Sequence, residues 1–148
     1  MPPLPEPDDA ALLLGIDSLL RVERLLERVP TPLTVPQYRI LRMVEAGGER
    51  AARLADRLAV RKPTLTAVAD GLVQAGFLVR GTDAGDRRAV RLSLTERGAE
   101  ALQETKRAYV ERVRPVIEEA SDPALLLALL AELQQPTPSP ALQGTSAS

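Results

Sequence analysis

The 148-residue sequence contains no cysteine and no histidine. The absence of cysteine excludes disulfide bonds, thiol redox sensing and thiolate zinc sites, and the absence of histidine removes the most common acid–base side chain. Carboxylate chemistry stays open in a chain with 20 acidic residues, but the sequence has no Gly-rich phosphate-binding loop. We therefore expect neither an enzyme nor a metal or cofactor site.

Long hydrophobic runs are also absent. The longest, ALLLALLA at 124–131, is far shorter than the roughly 18 to 20 residues that span a bilayer. The start, MPPLPEPDDAALLLG, lacks the basic region of a secretory signal. We expect a single cytoplasmic domain that binds no membrane, with flexible Pro-rich tails over 1–7 and 136–148.

The net charge of −1 conceals an uneven distribution. Between Arg50 and Arg91 there are nine Arg and Lys and four Asp, a net charge of +5, so the rest of the chain carries −6. A basic segment on an acidic body is typical of a DNA-binding protein with an unrelated scaffold. Ordinary scatter of charge over solvated surfaces would explain the same count, so charge alone leaves both interpretations open.

Two helices are predicted in the first third of the chain. Either aspartate of the pair 8–9 can cap a helix whose apolar residues follow 3.6-residue spacing as far as Pro30. Thr34 and Gln37 have the spacing of a capping box, which opens a second helix that ends at the glycine pair 47–48.

Two shorter helices are predicted next, over 51–58 and 63–74, with only 59–62 between them. Gly76 is expected to end the second of these helices. Two short helices across a tight turn are typical of a helix-turn-helix, although any helical hairpin shows the same pattern.

A β-hairpin is predicted after Gly76. The segments FLVR at 77–80 and AVRLSL at 89–94 have strand character and flank the loop GTDAGDR at 81–87. Alternation along the second strand puts three apolar side chains on one face, namely Val90, Leu92 and Leu94, and Arg91 and Ser93 on the other.

The loop of this hairpin carries charged residues suited to a nucleic acid. We expect Arg87 and Arg88 near its tip, where an arginine beside a recognition helix can reach a narrow minor groove of high negative potential. Asp86 is expected to orient the guanidinium of Arg88 or of a neighbour. The order helix, helix, turn, helix, hairpin predicts a winged helix with this hairpin as the wing.

The last third of the chain is predicted to be helical. Thr95 can cap a helix over 96–120, which Pro115 should bend or divide. A final helix from 121 or 122 to about 135 is apolar nearly all round, which indicates burial on more than one side. A homodimer built from the first and last helices explains that burial economically, and a two-sided core within one chain is the alternative.

The sequence resembles the MarR-type transcriptional regulators. DRRAVRLSLT at 86–95 matches the D-x-R-x5-L-T signature of that family's wing. AARLADRLAVRKPTLTAVADGLVQAGFLVR at 51–80 is similar to its helix-turn-helix running into the first wing strand. The resemblance implies a mainly α-helical (α+β) winged-helix fold with a small β-hairpin wing. In this family the terminal helices intertwine in a homodimer, the recognition helix enters the major groove and the wing touches the minor groove.

The resemblance also implies a domain plan and a set of DNA-binding residues. Residues 8–135 form the domain, with 34–95 as the DNA-binding winged helix and 8–30 and 96–135 as the dimerisation helices. Threonine hydroxyls and helix N-terminal amides suit phosphates, and adjacent cations strengthen such contacts. The expected DNA-binding residues are Arg61, Lys62, Pro63, Thr64, Thr66, Asp86, Arg87 and Arg88.

Three positions depart from the family's usual pattern. Arg61 stands where an N-capping Ser, Thr or Asp is common and cannot accept amide hydrogen bonds. Ala67 replaces a basic residue of many relatives, and Gly71 costs the helix about 1 kcal/mol relative to alanine. We expect a sequence-specific dimeric regulator, a repressor, on a pseudo-palindromic operator. The alternative is a winged-helix dimer that binds protein without reading DNA.

A small-molecule effector is a further expectation, since such a ligand often lies between the dimerisation and DNA-binding regions of the family. Tyr38, Leu41 and Arg42, near Leu12 and Ile16, would form an apolar cleft with one cation for a small aromatic or anionic ligand. Plain core packing with a surface arginine explains the same residues.

Overall fold

The computed structural model describes residues 8–47 and 61–134. The predicted helix over 51–58 and the predicted tails over 1–7 and 136–148 lie outside these residues. The described elements, in chain order, are α1 (Asp9–Glu27), α2 (Val35–Gly47), α3 (Lys62–Gln74), β1 (Leu78–Asp83), β2 (Asp86–Leu94), α4 (Glu96–Glu118) and α5 (Pro123–Glu132).

The fold is mainly α-helical with one two-stranded antiparallel hairpin, which confirms the predicted class. The chain divides into two compact units, of which the first ends at Val113 and the second begins at Arg114, within α4. In the described stretches no helix combines the length and the apolarity that a bilayer crossing requires.

Local capping chemistry defines the helix starts. Asp8 caps α1, since its Oδ1 accepts a hydrogen bond from the Ala11 amide at 2.7 Å. The capping box of α2 is confirmed: the Thr34 amide donates to Gln37 Oε1 at 2.9 Å, and the Gln37 amide donates to Thr34 Oγ1 at 3.4 Å. At α5, Asp122 is the cap and Pro123 occupies the first turn, as predicted.

The core of the first unit joins α2, α3, the hairpin and the first part of α4. Leu41, Leu72 and Leu102 are fully buried. The remaining members are Leu33, Ile40, Val44, Leu65, Ala69, Leu78, Leu92 and Ala101. Of the apolar face predicted for β2, Leu92 is buried and Leu94 packs against the core, whereas Val90 is exposed. This shared core holds α3 and the hairpin in a fixed relation to each other.

Pro115 was expected to bend or divide the helix over 96–120. Division does not occur, since α4 continues through Pro115 to Glu118. Proline 115 has no amide to donate to the carbonyl of Glu111, but Glu111 is exposed, so water can satisfy that carbonyl. The ladder resumes at once, since the Glu119 amide donates to the Pro115 carbonyl at 3.1 Å.

The hairpin corrects a second prediction. The segment 81–87 was expected to be a loop, yet β1 runs to Asp83 and β2 starts at Asp86, so only Ala84 and Gly85 separate the strands. Gly81 and Thr82 pair with residues of β2 despite their turn-like character. Antiparallel pairing uses backbone groups, so small and polar residues can extend the ladder into solvent.

Candidate nucleic-acid interface

Helix α3 begins without a side-chain cap. Arg61 occupies the N-cap position in an extended conformation and makes no side-chain hydrogen bond to the first turn. Its carbonyl accepts the first helical bond, from the Leu65 amide at 3.1 Å. Arg61, Pro63 and Thr64 are exposed. A helix N-terminus with this partial positive charge and an adjacent guanidinium is a favourable position for a phosphate.

One face of α3 is committed to the core and the other is open. Leu65, Ala69 and Leu72, spaced at i, i+4 and i+7, are buried. The predicted contact residue Thr66 is exposed, as are Ala67 and Gln74. The open face is therefore held by the fold in a fixed orientation and carries short side chains.

The end of α3 turns the chain directly into the wing. Gly76 has φ = 77°, a left-handed conformation in which glycine avoids the strain that a Cβ would cause, and this confirms the predicted stop. The Gly76 amide donates to the Val73 carbonyl at 3.0 Å, and the Phe77 amide donates to the Leu72 carbonyl at 2.9 Å. This pair of bonds is a Schellman motif, so β1 leaves α3 at a defined angle.

Thr95 joins three elements at the base of the wing. Its hydroxyl donates to the Gly76 carbonyl at 2.6 Å and accepts from the Gly98 amide at 2.9 Å, which caps α4 as predicted. Its amide donates to the Phe77 carbonyl at 3.1 Å. The Arg97 guanidinium carbon lies 5.3 Å from the centroid of the Phe77 ring, a cation–π contact. The end of α3, the base of the hairpin and the start of α4 are thus bonded together.

The wing tip has an irregular register. Thr82 pairs with Val90, whereas the next residue of β1, Asp83, pairs with Asp86. The three intervening residues of β2 therefore have no counterpart on β1, and two of them are Arg87 and Arg88. Both arginines are exposed. A bulge of this kind bends a strand and redirects its side chains.

Asp86 acts on the backbone of the wing. Its Oδ1 accepts a hydrogen bond from the backbone amide of Arg88 at 3.0 Å, rather than from a guanidinium as expected. An aspartate that bonds the amide two residues ahead stabilises a turn. Asp86 therefore shapes the irregular segment, while the Arg88 side chain stays exposed.

Two cations of the basic segment are used inside the fold. Arg80 Nη2 on β1 binds Asp70 Oδ1 on α3, and both side chains are nearly half exposed. Arg91 Nη2 on β2 donates to the carbonyl of Gly47, the last residue of α2, at 3.2 Å. A cation at a helix C-terminus also interacts favourably with the helix dipole. Both arginines position the wing. Asp70 neutralises the charge of Arg80, whereas Arg91 keeps its charge, because a backbone carbonyl is neutral.

Glu45 on α2 forms an ion pair with Lys106 on α4. Lys106 Nζ lies 2.7 and 2.8 Å from its two carboxylate oxygens, and Arg42 Nη1 lies 2.9 Å from Oε2. The hydrogen bond from Lys106 is the main cause that lowers the pKa of Glu45; burial opposes it and Arg42 adds to it. The charged carboxylate therefore stabilises the packing behind the recognition helix.

The five residues expected to line an effector cleft do not lie in one environment. Leu12 and Ile16 are half exposed on α1, whereas Leu41 is 0% exposed in the core and so does not face a cleft. Arg42 is exposed and paired within α2, as described above. Tyr38 is partly buried and packs edge-on to another aromatic ring.

That ring belongs to Tyr109 of α4. The two ring centroids are 5.0 Å apart with an interplanar angle of 66°. Burial raises the pKa of Tyr109, and a hydrogen bond with Thr31 partly offsets this effect. The buried Tyr109 hydroxyl therefore keeps a polar partner, Thr31.

Two long-range contacts and one close approach were not predicted from the sequence. The Asp70–Arg80 and Arg91–Gly47 contacts join residues distant in sequence, and no local pattern indicates them. Gly98 could have been noticed in the sequence, because a glycine inside a helix costs about 1 kcal/mol and often marks a close packing contact. A Cβ at Gly98 would lie 2.0 Å from the Phe77 carbonyl oxygen.

Comparison with known proteins agrees with this geometry. A model of the MarR family matches residues 31–89. The HTH-type transcriptional regulator PecS of Dickeya dadantii (strain 3937) is 30% identical over 124 residues, which cover 77% of this chain and 75% of PecS. FarR of Neisseria gonorrhoeae, also an HTH-type transcriptional regulator, is 33% identical over 104 residues, which cover 68% and 71%.

A solved structure of a DNA-bound protein superimposes on most of this chain. The transcriptional repressor CouR, bound to a 23-mer DNA duplex, superimposes with a TM-score of 0.73 and 27% identity over 85% of this chain and 89% of CouR. The chain is therefore similar in fold to a protein whose structure was solved with DNA.

Proposed function

The chain belongs to the MarR family of DNA-binding transcriptional regulators, and from that premise we propose that it acts as a homodimeric repressor on a pseudo-palindromic operator. The similar protein CouR is a transcriptional repressor whose structure contains a DNA duplex, and this favours repression over activation. Action on the chromosome would place the protein in the cytoplasm.

Two features support the proposed DNA-binding site: α3 begins without a side-chain cap, and the tip of the wing is exposed. Arg61 and the first-turn amides of α3 offer cationic and hydrogen-bonding groups to a phosphate. Arg87 and Arg88 are exposed on the irregular segment of β2. With α3 in the major groove and the wing over the minor groove, residues 34–95 form the DNA-binding part. The first turn of α3 adds Lys62, Pro63, Thr64 and Thr66 to the proposed set. Asp86 belongs to it through its hydrogen bond to the Arg88 amide.

Exposed apolar side chains support the dimer. Helix α1 has no buried residue, and Leu13 and Leu14 are 61% and 69% exposed. Helix α5 likewise has none, and Leu125, Leu127 and Leu129 are each at least half exposed. Apolar surface of this extent marks an interaction site in a soluble protein. A second copy would cover it, with segments 8–30 and 96–135 as the dimerisation regions.

Selection of DNA from a random pool by the purified protein tests the proposal. We expect enrichment of one site with half-sites about 10 bp apart, one helical turn. Sedimentation should give a dimer for the wild type and a monomer for Leu13→Glu, which should also bind the selected duplex weakly. Glu23→Gln, a change at an exposed polar position of α1, is the matched control and should leave both properties intact.

A monomeric wild type, or a Leu13→Glu variant that stays dimeric, would contradict the dimer. A protein that enriches no DNA sequence but forms a stable complex with another protein would instead favour the protein-binding alternative.

We also propose a small aromatic or anionic effector that releases the DNA. Tyr38, which packs on Tyr109, and the exposed Arg42 are the groups that support it. Ligands of this class should raise the melting temperature and weaken DNA binding together. A broad panel of organic acids and acyl thioesters without any thermal shift would contradict the effector.

A further inference from the structure

The open face of α3 is short of charged groups that hydrogen-bond to base edges. Between Pro63 and Gln74 the only charged residue is Asp70. Its carboxylate is bound by the Arg80 guanidinium. Asp70 and Arg80 bind each other, so a contact of either group with cytosine or guanine would compete with this pair.

What the open face offers instead is methyl groups. The core packs against Leu65, Ala69 and Leu72, so a helical periodicity of 3.6 residues places Ala67 on the opposite side and Thr64 beside it. Both residues are exposed and lie in the N-terminal half of α3, the part of a recognition helix that contacts bases. Each carries a methyl group near the helix surface.

We propose that α3 recognises thymine by packing the methyl groups of Thr64 and Ala67 against thymine C5-methyl groups in the major groove. This inference rests on the proposed DNA-binding function and specifies what that site reads. Thymine is the standard base that presents a methyl group in the major groove. Phosphate contacts near Arg61 and minor-groove contacts by Arg88 supply affinity, while the methyl contacts supply base preference.

Replacement of thymine by deoxyuracil tests the inference directly, because it removes the C5-methyl group and keeps every hydrogen-bonding group. The probe is the duplex enriched from a random pool by the full-length protein. Each thymine is replaced in turn, and the dissociation constant is measured by fluorescence anisotropy. We expect about a fourfold loss for a contacted methyl in one half-site and roughly a fifteenfold loss for both half-sites.

Two substitutions at Thr64 test whether its methyl group, rather than its hydroxyl, contacts thymine. Thr64→Val keeps a methyl group and removes the hydroxyl, whereas Thr64→Ser keeps the hydroxyl and removes the methyl. We expect sensitivity to deoxyuracil to persist in Thr64→Val and to disappear at one position per half-site in Thr64→Ser. Glu23→Gln is the control, since Glu23 is exposed on α1 outside the DNA-binding part, and should leave the sensitivity unchanged.

The outcomes separate the inference from the proposed function. If no sequence is enriched, DNA binding by this chain is wrong. If a sequence is enriched but every deoxyuracil duplex binds within about 1.5-fold of the parent, DNA binding stands and methyl recognition is wrong. Sensitivity that survives Thr64→Ser and is lost in Thr64→Val would assign the contact to the hydroxyl and would also overturn the inference.

Discussion

Replacement of Gly98 by alanine tests how α4 packs against the base of the wing. An added Cβ would lie 2.0 Å from the Phe77 carbonyl oxygen and 2.9 Å from its carbonyl carbon. The same oxygen accepts the Thr95 amide, so it cannot move away without weakening the joint at the base of the wing. Alanine at this position must therefore displace α4 from the hairpin.

The expected change in the free energy of unfolding combines two destabilising contributions and one stabilising contribution. Overpacking against a backbone that cannot relax costs up to about 3 kcal/mol, and a weakened hydrogen bond at Thr95 adds about 1 kcal/mol. Alanine regains about 1 kcal/mol of helix propensity over glycine. We expect Gly98→Ala to lose about 3 kcal/mol net, which lowers the melting temperature by roughly 6 to 12 °C in a chain of this size.

Gly71 is the matched control, because it is also a glycine inside a helix. Among the described residues no heavy atom lies within 4 Å of a Cβ placed there, beyond the helix's own backbone and its chain neighbours. Gly71→Ala should therefore be stabilising by about 1 kcal/mol, an increase of roughly 2 to 4 °C.

Thermal unfolding followed by circular dichroism, at one fixed protein concentration, gives both values. The reasoning is refuted if Gly98→Ala melts within about 2 °C of the wild type, or if both substitutions change the melting temperature in the same direction.

Two further experiments test ion pairs. The pKa of Glu45 is lowered in the fold, so its stabilisation is present above the ordinary glutamate pKa and lost as the pH falls through the folded value. Glu45→Gln should destabilise the protein at about pH 7 and approach the wild type in acid, once the pH lies below the folded pKa of Glu45, as measured by urea unfolding. A pH-independent difference would contradict this. For the exposed Asp70–Arg80 pair, a double-mutant cycle with Asp70→Asn and Arg80→Gln should give a coupling below about 1 kcal/mol that salt weakens. A larger, salt-independent coupling would show a role beyond a surface ion pair.

Features fixed by a few neighbouring residues were predictable from the sequence. The capping box of Thr34 and Gln37, the cap at Asp8 and the glycine stop at Gly76 depend on local spacing and backbone conformation, and the structure confirms each of them. The wing signature and the order of elements then indicated the family, which the comparisons support.

Features fixed by tertiary contacts were not predictable. The strands extend through Gly81 and Thr82 because their backbone groups find partners on β2, which overrides the turn preference of the segment. Asp86 bonds an amide rather than a guanidinium because the bulge brings the Arg88 backbone to it. Arg80 counted as part of the basic segment, yet Asp70 neutralises it across ten residues of sequence.

The most direct test of the central claim is the salt dependence of binding to the selected duplex for the wild type and Arg88→Ala. Arg114→Ala, a change at an exposed arginine paired with Glu118 in the second unit, is the control. We expect Arg88→Ala to weaken binding and to reduce the slope of log affinity against log salt by about one per wing, while the control keeps the wild-type slope. An Arg88→Ala protein with wild-type affinity and slope would contradict a wing that contacts DNA.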